Sequence, residues 1–158
     1  MGRLPAIVGH DLLGSFKQLP VDLPVERTVI VVAFFRRHQF AADRWISALA
    51  KEGICDSPLY LKLDTRTLVL EFQIMNPRGR FLRKFIDGGM AAGIKKAQIL
   101  TRTWTFYTPV DDFCDSVGIV DRKQIATIVC DLEGSVLALA PGEITREKLD
   151  SILGVLTR

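Results

Sequence analysis

The stretch TVIVVAFFRRHQFAADRW, residues 28–45, decides how this chain is read. Residues 28–35 are almost all β-branched or aromatic, the pattern of a strand covered on both faces. A short polar turn follows, Arg36-Arg37-His38-Gln39. Beyond it Ala41, Trp45, Ala48 and Leu49 fall on one face of a helix that Gly53 ends. Strand, basic turn and helix together suggest a central parallel strand in an α/β sheet, with the turn presented at a helix N-terminus.

The rest of the chain extends that alternation. Residues 1–27 are broken by prolines and glycines and read as a loop-rich lead-in with a short hairpin. Strand character returns over 59–75, clearest in TLVLEFQIM. Asn76-Pro77 signals a helix start, with Phe81, Leu82, Phe85 and Ile86 as its apolar side. Gly88-Gly89 breaks that helix, and a second piece runs to about residue 99. TRTWTFYT is a further strand, and Thr108-Pro109 repeats the cap-plus-proline signal. Asp111 and Asp112 suit the first turn of a helix through 117, where the dipole favours acids. IATIVCD, LEG and SVLALA read as a hairpin turning at Gly134. Thr145 caps the last helix, with Ile144 and Leu149 as its hydrophobic staple and Leu149, Ile152, Leu153 and Leu156 as its buried stripe. The expected architecture is one α/β domain over 1–158, a mixed central sheet with helices on both faces that closes on a β-hairpin plus helix.

Composition bounds the function. The 158 residues are 48% hydrophobic and 25% charged, an ordinary globular balance, and the net charge of +3 does not call for nucleic acid. Cys55, Cys114 and Cys130 are scattered, with no C-x-x-C, and the two histidines build no zinc pattern. Neither a metal nor a cofactor is expected. Scattered, odd-numbered cysteines fit a reducing compartment. No run approaches the about 18 to 20 apolar residues of a membrane helix, and no secretory leader is evident. A cytoplasmic location is the expectation.

In order and pattern, TVIVVAFFRRHQFAADRWISAL and IATIVCDLEGSVLALAPGEITREKLDSIL resemble the opening and closing units of the thioredoxin-like fold. The resemblance covers roughly 25–158. It departs in two places. The turn that carries redox cysteines in that fold has none here. Gln124 or Ile125 stands about where the fold's cis-proline would face that turn. A dithiol oxidoreductase is therefore not expected. RKFIDGGMAAGI, TRTWTFYTPVDDFCDSVGI and ATIVCDLEGSVLALAPGEIT are similar to the assembly factor family of the mitochondrial ATP synthase, thioredoxin-like proteins without redox cysteines. That resemblance implies an assembly or chaperone role and another protein as the partner.

The candidate binding residues are Arg36, Arg37, His38 and Gln39, with Arg83 and Lys84 on the next helix; no catalytic residue is assigned. A helix N-terminus with added cations suits an anion, whether a small ligand or an acidic side chain of a partner. The plainer reading is a solvated loop whose arginines pair with acids such as Asp43. The basic stretch from Arg78 to Arg102, with Phe81 and Phe85 interleaved, could rest on an anionic membrane or nucleic acid. The helical spacing of its aromatics fits a core better, with the cations on a solvated face. IDGGMAAGI reads as a helix break. Cys114 and Cys130 read as buried small hydrophobes; Cys55 is the thiol expected to be exposed, and a peroxidase using it is the outlying alternative.

Overall fold

The computed structural model describes residues 2–77 and 94–157. Their strands form one seven-stranded mixed sheet. β1 (Val8–Asp11) and β2 (Phe16–Gln18) make the expected N-terminal hairpin. β3 (Arg27–Ala33) leads through the basic turn into α1 (Gln39–Lys51). β4 (Thr67–Met75), α2 (Ile94–Arg102), β5 (Thr103–Tyr107) and α3 (Val110–Val117) follow. β6 (Ala126–Cys130), β7 (Val136–Pro141) and α4 (Arg146–Leu156) close the chain. The strand order is β2-β1-β5-β4-β3-β6-β7. β3, β4 and β5 are parallel; β6 and β7 add antiparallel strands on one side, and β1 and β2 do so on the other.

Strand alternation divides the core in two. Leu68, Leu70, Phe72 and Ile74 of β4 face one side with Ile30 and Val32 of β3, Trp104 and Phe106 of β5, and Phe113, Cys114 and Val117 of α3. Phe72 stacks on Trp104 there at 5.7 Å between ring centres. Val29, Val31, Val69 and Val129 face the other side, against Ala42, Trp45, Ile46 and Leu49 of α1 and Leu149, Ile152 and Leu156 of α4. The fully buried Trp45 also donates its indole N–H to Gly142 O at 3.1 Å, which ties α1 to the loop after β7. Burial of each such large side chain stabilises the fold by about 1.5–3 kcal/mol.

The structure corrects several boundaries. The strand read from residue 59 begins only at Thr67. Pro58–Tyr60 form a 3-10 turn capped by Ser57 Oγ, and Lys62 N donates to Thr65 Oγ1, so the alternating Leu59, Leu61 and Leu63 belong to a turn. Thr101 and Arg102 end α2 and do not start β5. Thr108 does not cap α3, whose N-cap position is Pro109; the amide of Val110 is taken by Asn76 Oδ1, 34 positions upstream, at 3.1 Å. Gly118 closes α3 at φ +92°, a conformation that glycine adopts without strain. Thr145 caps α4 as expected, accepting from Lys148 N at 3.1 Å. Arg83, Lys84, the apolar side at 81–86 and the glycines of IDGGMAAGI lie outside the described residues.

Candidate functional site

β3 ends at Ala33, Phe34 and Phe35 lead out of the sheet, and Arg36–His38 form a single 3-10 turn directly before α1. His38 caps α1 by position and not by its side chain. Its ring points inward, with only 6% of the residue exposed. Nδ1 accepts from Phe34 N–H at 3.1 Å, so the proton resides on Nε2, which donates to Lys123 O at 3.0 Å. Phe34 and Phe35 pack edge-on against the ring at 6.1 and 5.2 Å. His38 thus joins the turn to the loop before β6, and both of its nitrogens are used in doing so.

The four turn residues do different things. Arg36 is exposed. Arg37 is exposed and lies over the Phe35 ring, 4.3 Å from its centre, a cation–π contact that holds the guanidinium at the surface. Gln39 turns towards the sheet, where its Nε2 donates to Asp43 Oδ1 and to Glu71 Oε1, both at 2.9 Å.

Sequence reasoning passed over Glu71. It is 2% exposed, in the middle of β4 on the α1 side of the sheet. Gln73 Nε2 reaches its other oxygen at 3.4 Å, and Thr105 Oγ1 donates to Gln73 Oε1 at 3.3 Å. A chain of hydrogen bonds therefore runs from Thr105 through Gln73, Glu71 and Gln39 to Asp43. Burial raises the Glu71 carboxyl above the ordinary carboxylate range; the Gln39 bond opposes this, the Asp43 charge adds to it, and Gln73 and Arg102 oppose it. The available signal was a single charge inside the apolar run TLVLEFQIM.

The loop that receives His38 is itself braced. Asp121 Oδ1 accepts from Lys123 N at 2.9 Å, and Arg122 bridges to Asp111 and Asp115 of α3. Ile119, Val120, Gln124, Ala126, Leu139 and Pro141 line an open, mainly apolar groove of 180 Å³ beside it. Phe40, in the first turn of α1, is 79% exposed, and Val120, in the loop before β6, is 87% exposed. Exposed Phe35, Phe40 and Val120 and the exposed cations Arg36, Arg37 and Lys123 thus lie on the two segments that His38 joins.

The thiols lie elsewhere. Burial pushes Cys114 up to about 11 and Cys130 up to about 12, as expected of core cysteines. Cys55 is half-buried, not freely exposed, and its thiol donates to Ser57 O at 3.2 Å. It bridges to Leu68 at the start of β4, the end of the sheet opposite the turn. Among the described residues no cluster of His, Cys, Asp and Glu could hold a metal ion, and no helix is long and apolar enough to cross a membrane.

This sheet, with helices on both faces and a closing hairpin and helix, is the thioredoxin-like fold, and solved structures share it. The pneumococcal exposed lipoprotein thioredoxin Etrx1 of Streptococcus pneumoniae strain TIGR4 is 13% identical, with a TM-score of 0.59 over 97% of this chain and 98% of that one. BsSco, a member of the Sco family of cytochrome c oxidase assembly proteins, is 12% identical, with a TM-score of 0.60 over 99% and 94%. A thio-disulfide isomerase from Thermus thermophilus is 19% identical, with a TM-score of 0.52 over 98% and 94%. No protein-family model and no curated protein matches the chain. At these identities the likeness establishes the fold alone.

Proposed function

We propose that this chain is a non-redox thioredoxin-like scaffold that binds another protein, in the manner of an assembly factor or chaperone. The observation that carries the reading is the place of His38. In the turn where relatives of this fold are expected to hold a reactive thiol, a buried imidazole spends both nitrogens on the backbone. The turn is thereby made rigid and leaves exposed Phe35, Phe40 and Val120 beside exposed arginines. An apolar centre with a charged rim suits a protein surface. The named role of BsSco's family in assembly and the resemblance to the ATP synthase assembly factors point the same way.

The alternative, an anionic small molecule held by Arg36, Arg37 and His38, fits less well. His38 has no nitrogen left to offer, and the adjacent groove is open and apolar. Two assays test the proposal together. The protein should show no dithiothreitol-dependent insulin reduction; activity abolished by Cys55→Ser would overturn the non-redox reading. A pulldown from native extract should yield a partner that Phe40→Ser and Arg36→Ala/Arg37→Ala each lose. A partner list unchanged in both variants removes the turn as the contact.

A further inference from the structure

At the end of the sheet opposite the His38 turn, two loops flank the C-terminal part of α2. The β1–β2 turn is held there by Leu12 N donating to Leu100 O at 3.1 Å. The 57–65 loop is held by Ser57 Oγ and Thr101 Oγ1, 2.9 Å apart, and by Tyr60 OH donating to Gln98 Oε1 at 3.4 Å. The first loop presents Leu13 and Phe16, the second Leu59, Tyr60 and Leu63. All five are more than half exposed, and Leu63 reaches 110%.

The backbone fixes these side chains outward. Asp11 Oδ1 accepts from Leu13 N and Ser15 N, both at 2.9 Å, and so shapes the hairpin turn. Thr65 Oγ1 accepts from Lys62 N while Thr65 N donates to Lys62 O, which closes the second loop around Leu63. Leu61, between the exposed residues, packs on the core. Five apolar tips gathered on two loops at one end of the molecule mark a candidate interaction surface.

The charges indicate which neighbour. Lys62 and Arg66 are exposed beside Leu63; Lys17 is half-buried instead, its Nζ over the Trp104 ring, 4.9 Å from the centre. Among the described residues no acid forms an ion pair with Lys62 or Arg66, and Asp64 is the single acid between 58 and 66. Separate projecting tips flanked by cations match a lipid interface. There apolar groups enter below the headgroups, a tyrosine sits at their level, and cations meet phosphates. A protein partner would instead favour one continuous patch with a central pocket.

We infer that this end of the molecule docks on an anionic membrane surface through Leu13, Phe16, Leu59, Tyr60 and Leu63. Lys62 and Arg66 lie at the headgroups, and the His38 turn faces away from the bilayer. Its docking residues lie outside the basic 78–102 stretch in sequence, and the inference stands independently of the protein-binding proposal.

Vesicle sedimentation tests it, with mixed phosphatidylserine–phosphatidylcholine vesicles against pure phosphatidylcholine. The wild type should sediment with the anionic vesicles and be released by salt. Leu59→Ser/Leu63→Ser and Lys62→Ala/Arg66→Ala should each bind about tenfold or more weakly. Both variants change exposed side chains, so their melting temperatures should stay at the wild-type value, which separates lost binding from lost folding. No sedimentation with anionic vesicles, or binding kept by Leu59→Ser/Leu63→Ser, overturns the inference. So does self-association without vesicle binding that Leu59→Ser/Leu63→Ser abolishes, since the tips would then be a protein contact.

Discussion

His38 and Lys123, 85 positions apart in sequence, are joined by a single hydrogen bond of 3.0 Å from imidazole Nε2 to a backbone carbonyl. The same ring holds Phe34 N–H, so one side chain satisfies two backbone groups from two segments.

Removing that side chain leaves both groups without their partner. His38→Ala should destabilise the protein by about 2–4 kcal/mol, from two lost hydrogen bonds and the desolvated groups left behind. Urea denaturation would show it as a lower midpoint with an unchanged slope. A change near zero would mean that water replaces the ring freely and that the turn does not depend on it.

Glu71 should give the protein a particular pH dependence. Its folded-state affinity for a proton is raised by burial, above that of the unfolded chain. Its contribution is thus fully present below the unfolded carboxylate value and is lost as pH rises through the raised folded value. Glu71→Gln should flatten that part of the stability–pH curve and gain relative to wild type on its alkaline side. Chemical denaturation across a pH series reads this directly, and an identical slope in both proteins would exclude Glu71 as the source.

The thiols should separate by burial. Under native conditions an aromatic disulfide reagent should modify Cys55 alone, because Cys114 and Cys130 are buried and held at about 11 and about 12. All three should react after unfolding. Fast native labelling of Cys55→Ser would contradict this arrangement.

Asn76 should act as a cap for a helix distant in sequence. Asn76→Ala removes the acceptor of Val110 N and should cost about 1 kcal/mol. Amide exchange at Val110 should accelerate with it. Unchanged exchange would show that solvent serves the same amide equally well.

Much of the fold was legible because its signals are local. The apolar run of β3, the α1 stripe through Trp45 and Leu49, Gly134 in its turn and Thr145 as a cap each depend on near neighbours in sequence. The misreadings come from partners far along the chain. Thr108 looked like the cap of α3, yet the amide of Val110 is taken by Asn76, 34 positions upstream. Leu59, Leu61 and Leu63 alternate as in a strand, but Ser57 and Thr65 close the backbone into turns. The turn was recognised as the candidate site, while the inward roles of His38 and Gln39 depend on Lys123 and Glu71, which no local pattern connects to them.

The lead-in contributes to both margins of the sheet. Val8–Gln18 form the β1–β2 side, while Gly2 O accepts from Val136 N and Leu4 N donates to Gly134 O on the β7 side. Arg3 also reaches Glu133 O, across 130 positions of sequence. During synthesis residues 2–4 must therefore wait for residues 133–136 before these contacts exist. Until the closing hairpin emerges, the apolar side chains of the lead-in have no completed surface to cover. A chain halted before residue 130 would leave them uncovered and open to aggregation.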